Sequence, residues 1–290
     1  MRVVVTGAAG FLGRHVARRF RDTGWETVGF DVSSFEEPGI DSMQGDLSEA
    51  NSVDGALEGA DVVAHIAAIG DVYLAGEQPA LAAEVNVVGT ANVVEAAVRH
   101  GARVVYASTW EVYGEPVEEP ITEAHPTMPD HPYSITKLAG ESLLLAATTL
   151  RDLPALALRL GTAYGSGLRR NSVFRIFIDK ARAGEAITIQ GDGSQGRQFT
   201  HASDIARAFE LAASSTESGH AINVVAPETV TIKELAESII SRYPTEVIYG
   251  QPRPGDVPSA LVSAEKARTL LGWRAEMPFG TGLDELIASV

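Results

Sequence analysis

Apolar positions fall in two rhythms along this chain. Short runs, "RVVVT" from Arg2, "ETVGFD" from Glu26, "DVVAHIAA" from Asp61 and "RVVYAS" from Arg103, are five to eight residues long and end in small or polar residues. Runs of that kind predict strands buried on both faces. Between them, apolar residues recur every three or four positions over 10–20, over 79–100 ("PALAAEVNVVGTANVVEAAVRH") and over 132–150. That spacing predicts helices with one buried stripe. A further strand, "PALALRL", follows the last of them. Strand and helix alternating through the first 160 residues predict an α/β fold, a doubly wound parallel sheet covered on both faces.

After Arg159 the texture changes. Glycine-rich loops ("GTAYGSG", "QGDGSQG") alternate with short helical patterns over 173–183, 203–213 and 231–242, and the tail carries "PRPGDVP" and the amphipathic "SAEKARTLLGW". The pattern predicts a sheet domain over 1–163, with 200–226 returning to it, and a smaller interleaved lobe from 164–199 and 227–290. The acids of "GEPVEEPITEAH" read as a solvated loop.

Composition narrows the function. With 290 residues, 45% of them hydrophobic, the chain can bury a large core. A net charge of −15 argues against a nucleic-acid partner. The absence of cysteine excludes disulfides, thiolate metal sites and a cysteine nucleophile, and fits a cytoplasmic location. No uncharged apolar run approaches the roughly 18 residues that span a bilayer, so no membrane partner is expected. The histidines lack metal-ligand spacing, and no metal is predicted.

Two constellations carry chemistry. "TGAAGFLG" sets Gly7, Gly10 and Gly13 between the first strand and first helix, and Asp31 follows 24 residues after Gly7 at the end of the second strand. Such a loop lets backbone N–H groups and a helix N-terminus approach a pyrophosphate, while the acid suits a ribose diol and repels a 2′-phosphate. This is a Rossmann-type dinucleotide signal that favours NAD. In "YSITK", Tyr133 and Lys137 share a helix face. A nearby ammonium favours the phenolate, so the spacing predicts a base for a sugar hydroxyl. Ser108 and Thr109, at the end of the "RVVYAS" strand, supply hydroxyls.

Together these motifs resemble the extended short-chain dehydrogenase/reductase superfamily, and within it the NAD-dependent nucleotide-sugar epimerase/dehydratase family of the UDP-glucose 4-epimerase type. The resemblance implies NAD contacts from Gly7, Ala9, Gly10, Phe11, Leu12 and Gly13, from Asp31, from Asp46 and Leu47 ("GDL"), and from His65, Ala67 and Ala68 ("HIAA"). It adds Asn86, Ser108, Tyr133 and Lys137. Thr109, Tyr133 and Lys137 become the implied catalytic set. Thr109, Trp110, Thr162, Arg197 ("GRQFT"), and Arg253 and Asp256 ("PRPGDVP") become the implied contacts to a nucleotide sugar, a UDP-hexose. The implied reaction is epimerisation at C4 through a 4-keto sugar, in a homodimer. A 4-keto reductase or dehydrogenase, or a 4,6-dehydratase, is the alternative. Trp110 stands where the dehydratases carry an aspartate, and Gln198 replaces the usual aspartate after Arg197. Ala260 is a small residue on the implied C2 side of the sugar and predicts room for an N-acetyl group.

Overall fold

The apolar runs assemble into one sheet. The computed structural model describes residues 1–252 and 260–290. Its main strands are β1 (Arg2–Thr6), β2 (Glu26–Asp31), β3 (Asp41–Gln44), β4 (Val62–His65), β5 (Arg103–Thr109), β6 (Ala155–Leu160) and β7 (His220–Val224). They pair in the order β3-β2-β1-β4-β5-β6-β7, every pair parallel. Alternate residues of a strand face opposite ways. Val3 and Val5 therefore enter one core with Phe20, Ile205 and Phe209, while Val4 enters another with Leu57, Val93 and Leu144. The edge strand β3 left no apolar run because its residues, "DSMQ", are mostly exposed.

The chain leaves β1 toward β2 and β3 on one side and β4 onward on the other. In such sheets the crevice beyond the carboxyl ends at that switch point is where ligands bind. Thr6, His65 and Thr109 are the last residues of β1, β4 and β5.

A third apolar core joins Phe174, Phe177 and Ile178 to Leu235, Ile239, Leu283 and Leu286. Ala267, Leu271 and Trp273 fall in the span predicted for the smaller lobe, yet they pack in the core of the sheet. Hydrogen bonds explain the return. The Asp204 carboxylate accepts from the N–H groups of Glu276 and Met277 at 3.0 and 2.9 Å, and Trp273 Nε1 donates to the Asp204 carbonyl at 2.8 Å. The loop of acids is not simply solvated either. Glu119 accepts from Leu261 N–H at 3.0 Å, and Glu123 from Asn223 N–H at 2.7 Å.

The pattern over 79–100 forms helix Pro79–Ala83, a π-helical turn Glu84–Val88 and helix Gly89–His100. Among the described residues this stretch alone is long and apolar enough to cross a bilayer. Here Val93, Val94, Ala96 and Ala97 are buried in the protein, and the π turn points Asn86 inward.

The loop after β1 meets its neighbours backbone to backbone. Gly7 has φ +73°, and a Cβ on it would lie 2.8 Å from the Ala67 backbone. A Cβ on Gly13 would lie 2.0 Å from the Gly7 carbonyl oxygen. Gly13→Ala is therefore expected to cost about 3 kcal/mol of stability, at the upper end for overpacking. Urea denaturation would show this as a lower midpoint at unchanged slope.

Candidate active site

A cleft of about 820 Å³ opens at the carboxyl end of the sheet. One stretch of its wall holds Gly7, Gly10, Phe11, Leu12 and Gly13; Asp31, Asp46 and Leu47 form another. Ala67 and Ala68 lie between these and the group Ser108, Thr109, Trp110, Tyr133, Lys137 and Thr162. The volume falls within the range of small-molecule and cofactor sites.

Three of the predicted residues stand behind this wall. Ala9 donates its N–H to Asp31 Oδ2 at 3.0 Å, and Asp31 Oδ1 accepts from Ser33 N–H at 2.9 Å. Asp31 thus ties the glycine loop to the end of β2. Asn86 accepts from Ile69 N–H at 2.7 Å and donates to Thr136 Oγ1 at 3.0 Å, bracing the cleft loop against the helix that carries Tyr133. His65 is fully buried. Its Nδ1 lies 2.8 Å from Thr6 Oγ1, which already accepts from the N–H groups of Ile66 and Ala67, so the Thr6 proton goes to Nδ1. Its Nε2 lies 3.0 Å from Thr90 Oγ1, whose own proton goes to the Asn86 carbonyl. The ring is therefore the neutral Nε2–H tautomer. Burial, then the charge of Lys137, holds its pKa down to about 3.

Helix Pro132–Arg151 starts beside the end of β5. His131 caps it, Nδ1 accepting from Ser134 N–H at 3.4 Å, and Pro132 occupies the first turn, where its missing N–H is not needed. Gly140 lets the helix press onto the sheet, since a Cβ there would lie 2.6 Å from the Tyr106 hydroxyl. That approach sets Lys137 Nζ 4.1 Å from the centre of the Tyr106 ring. Burial lowers the Lys137 pKa to about 7, and the charge of Glu141 resists that fall.

Tyr133 is half-buried on the cleft wall. The His131 ring stacks on it at 6.0 Å, and His131 Nε2 lies 3.2 Å from Glu111 Oε2. Its hydrogen bond with Glu111 raises the His131 pKa. Burial and then the Glu111 charge push the Tyr133 phenol well above its ordinary range, against a hydrogen bond from Thr109 and the charge of Arg169. Spacing supplies only the favourable neighbour on the same helix. Lys137 alone does not hold a phenolate here, because desolvation and Glu111 outweigh the nearby cations.

Trp110 separates the cleft from a second cavity of about 10 Å³, which Gly161, Arg197, Gln198 and Ala260 also line. Arg197 therefore faces this small space and not the cleft; its guanidinium donates to the Gly196 carbonyl at 2.8 Å. Among the described residues the enclosed space beside Ala260 suits about one water. The Gln198 amide serves structure: it donates to the Ala226 carbonyl at 2.7 Å and accepts from Val262 N–H at 2.7 Å. Arg253 and Asp256 lie outside the described residues.

Sequence reasoning missed two groupings. Arg169, on the cleft wall, sits 3.2 Å from Asp71, which also accepts from Asn171 at 2.7 Å and caps helix Val72–Glu77. Both walls of the cleft mouth are fastened through Asp71, yet no motif links positions 100 apart. Behind Lys137, Glu141 pairs with Arg159. The spacing 133, 137, 141 was the available signal.

The fold and the cleft define a dinucleotide-binding α/β protein with a Tyr–Lys pair at the end of its central strands. The chain belongs to the NAD dependent epimerase/dehydratase family, whose model matches residues 3–225. It is 32% identical to a UDP-glucose 4-epimerase of Mycolicibacterium smegmatis, over 99% of this chain and 97% of that one. It is 30% identical to a dTDP-glucose 4,6-dehydratase of Streptomyces niveus, over 99% and 92%. The solved structure of MoeE5 with UDP-glucose and NAD superposes with a TM-score of 0.92 at 34% identity, covering 100% of this chain and 98% of that one. MoeE5 has also been solved with UDP-glucuronic acid and NAD.

Burial and then Glu111 push the Tyr133 phenol up. Ultraviolet difference titration of the protein against Tyr133→Phe is expected to show no tyrosinate signal from this position between pH 7 and about 9.5. A tyrosinate transition near neutral pH lost in the variant would contradict this.

Proposed function

We propose that this protein epimerises a UDP-hexose at C4 through a transient 4-keto sugar, with NAD held in the cleft. The observation that carries this reading is the meeting of Thr109, Tyr133 and Lys137 on one cleft wall with the glycine loop and Asp31. The loop fits the cofactor: Gly7 and Gly13 leave no space for side chains, and the N-terminus of helix Phe11–Asp22 suits a pyrophosphate. Asp31 suits an unphosphorylated ribose. When bound, NAD supplies a reversible two-electron acceptor.

The chain's own residues handle the proton. Tyr133 stands to accept it from the C4 hydroxyl and to return it to the 4-keto oxygen, with the Thr109 hydroxyl bridging to the phenol oxygen. A phenol raised by burial and Glu111 is a reluctant base by itself. The cations of Lys137 and Arg169 and the positive charge of an oxidised nicotinamide favour its ionisation, so the proton moves once the cleft is filled. A neutral phenol is also a ready donor for the return step.

Trp110 supports epimerase over dehydratase. Expelling the C6 hydroxyl needs an acid beside the sugar, and an indole on the cleft wall supplies none. The relatives that bind or act on UDP-glucose support the choice of base and sugar. The exposed Ile135, Leu143 and Leu150 on helix Pro132–Arg151 support a homodimer formed through that helix.

The test is incubation with UDP-glucose, UDP-glucuronate or UDP-N-acetylglucosamine and catalytic NAD, following the sugars by NMR and reduced cofactor at 340 nm. The expected result is conversion of UDP-glucose or UDP-glucuronate to its C4 epimer with no net reduced cofactor. Tyr133→Phe is expected to lower kcat by roughly 10²–10⁴-fold. Stoichiometric reduced cofactor, or a 4-keto-6-deoxy product, would overturn the reading.

A further inference from the structure

Tyr133, Lys137 and Glu141 lie one above another on three turns of helix Pro132–Arg151. Glu141 is 2% exposed. Its Oε2 accepts from the Ser108 hydroxyl at 2.5 Å and from Arg159 Nε at 3.2 Å, and its Oε1 accepts from a second Arg159 nitrogen at 2.5 Å. Arg159 also donates to the Tyr113 hydroxyl at 2.9 Å, which donates to Asn223 Oδ1 at 2.7 Å. Each of these donors suits an ionised carboxylate. A buried ion pair is seldom needed for stability alone, because apolar side chains of similar volume often serve as well or better. Its placement needs another reason, and that reason lies one turn away.

We propose that Glu141 is a positioning residue of this site: its carboxylate, fixed by Arg159 and Ser108, is the countercharge that holds the buried Lys137 ammonium in the cleft wall beside Tyr133. The proposal rests on the reading of Tyr133 and Lys137 as the proton-handling pair. The other titratable groups around Lys137 do not supply this charge. His65, from β4, is the neutral tautomer. Tyr106, from β5, donates its hydroxyl to the Lys137 carbonyl at 3.2 Å, and burial keeps that phenol protonated. Tyr133, on the same helix, is protonated as well. Arg159 is a cation and opposes the ammonium. Glu141 is the anion of the set, and it is the group that resists the fall of the Lys137 pKa. Its grip on Ser108 also leaves Thr109 as the hydroxyl at the end of β5 that meets Tyr133.

The chain has four lysines, Lys137, Lys180, Lys233 and Lys266, so its lysine spectrum is simple. The test is a pH titration of the full-length protein carrying ¹³Cε-lysine, with Lys137 assigned through Lys137→Arg. In Glu141→Gln the Lys137 midpoint is expected to fall by about one pH unit or more. The high-pH limb of kcat is expected to move down with it, while KM changes by less than about twofold. Glu141→Gln leaves Arg159 buried without its counter-ion and can fail to fold; Glu141→Gln/Arg159→Leu removes both charges and is expected to lower the midpoint too. A Lys137 midpoint unchanged within about 0.3 unit in a folded variant of either kind would overturn the proposal. The spectrum needs no turnover. A shifted midpoint in a protein that converts no nucleotide sugar would sink the proposed reaction and leave this inference standing; turnover with an unmoved midpoint would do the reverse.

Discussion

Lys137 is 2% exposed, and taking an ammonium out of water costs several kcal/mol unless the surroundings compensate. Much of the architecture around the cleft answers that cost. The face of Tyr106 lies under the charge at 4.1 Å, and Gly140 lets helix and strand come close enough for it to do so. His65 sits nearby, and two threonines at the ends of its ring lock it into a neutral tautomer. A protonated imidazole there would set a second positive charge against the lysine. The same two threonines hold the backbone: Thr6 takes the N–H groups of Ile66 and Ala67 at the crossover from β4 into the cleft, and Thr90 is bound to Asn86. The polar network that fixes the His65 tautomer is thus also the network that shapes the cofactor side of the cleft.

Charge around Tyr133 is balanced and not simply positive. Burial and then Glu111 push the phenol up, while the Thr109 hydrogen bond and then Arg169 pull the other way. Glu111 is itself neutralised in part by His131, the residue that caps the helix on which Tyr133 rides. A group that must both take and give a proton is best served by such a balance, since a phenol locked as the anion would be a poor donor on the return. The chain carries a net charge of −15, yet Lys137 and Arg169 stand on the cleft wall. Asp31, Asp46 and Glu111 share that wall, so its charges are mixed as well.

What the sequence made legible follows from the range of each interaction. The strands with apolar runs, the glycine loop and the Tyr–Lys spacing are local patterns, and they appear where the residues placed them. Strand β3 was not legible because an edge strand with exposed residues has no hydrophobic signature. The return of Trp273 to the sheet rests on Asp204, 69 positions away, and the Asp71–Asn171 contact spans 100 positions. No periodicity encodes such pairs. The groups that oppose ionisation of Tyr133 were not legible for a related reason. Spacing supplies the neighbour on the same helix, but not the burial of the ring or the carboxylate arriving from the turn after β5.

That turn also bears on which chemistry the cleft can host. Trp110 opens it, 9% exposed, and packs with Val112, Tyr113, Ile121, Val225, Ala260 and Val262 in an apolar cluster of their own. A carboxylate at position 110 would have to be desolvated among these apolar groups. The tryptophan is therefore more than one residue exchanged for another. The surrounding side chains, drawn from the acidic loop, from the end of β7 and from the segment beyond Ala260, are built to receive an indole. Thr109 precedes it as the last residue of β5 and is held to Tyr133 by the strand, whatever follows. The placement of Thr109 and Tyr133 is thus set by the sheet and helix, while a separate apolar cluster holds the residue that follows Thr109. In this chain that packing sets an indole, and not a carboxylate, directly after Thr109, with Glu111 following it on the cleft wall.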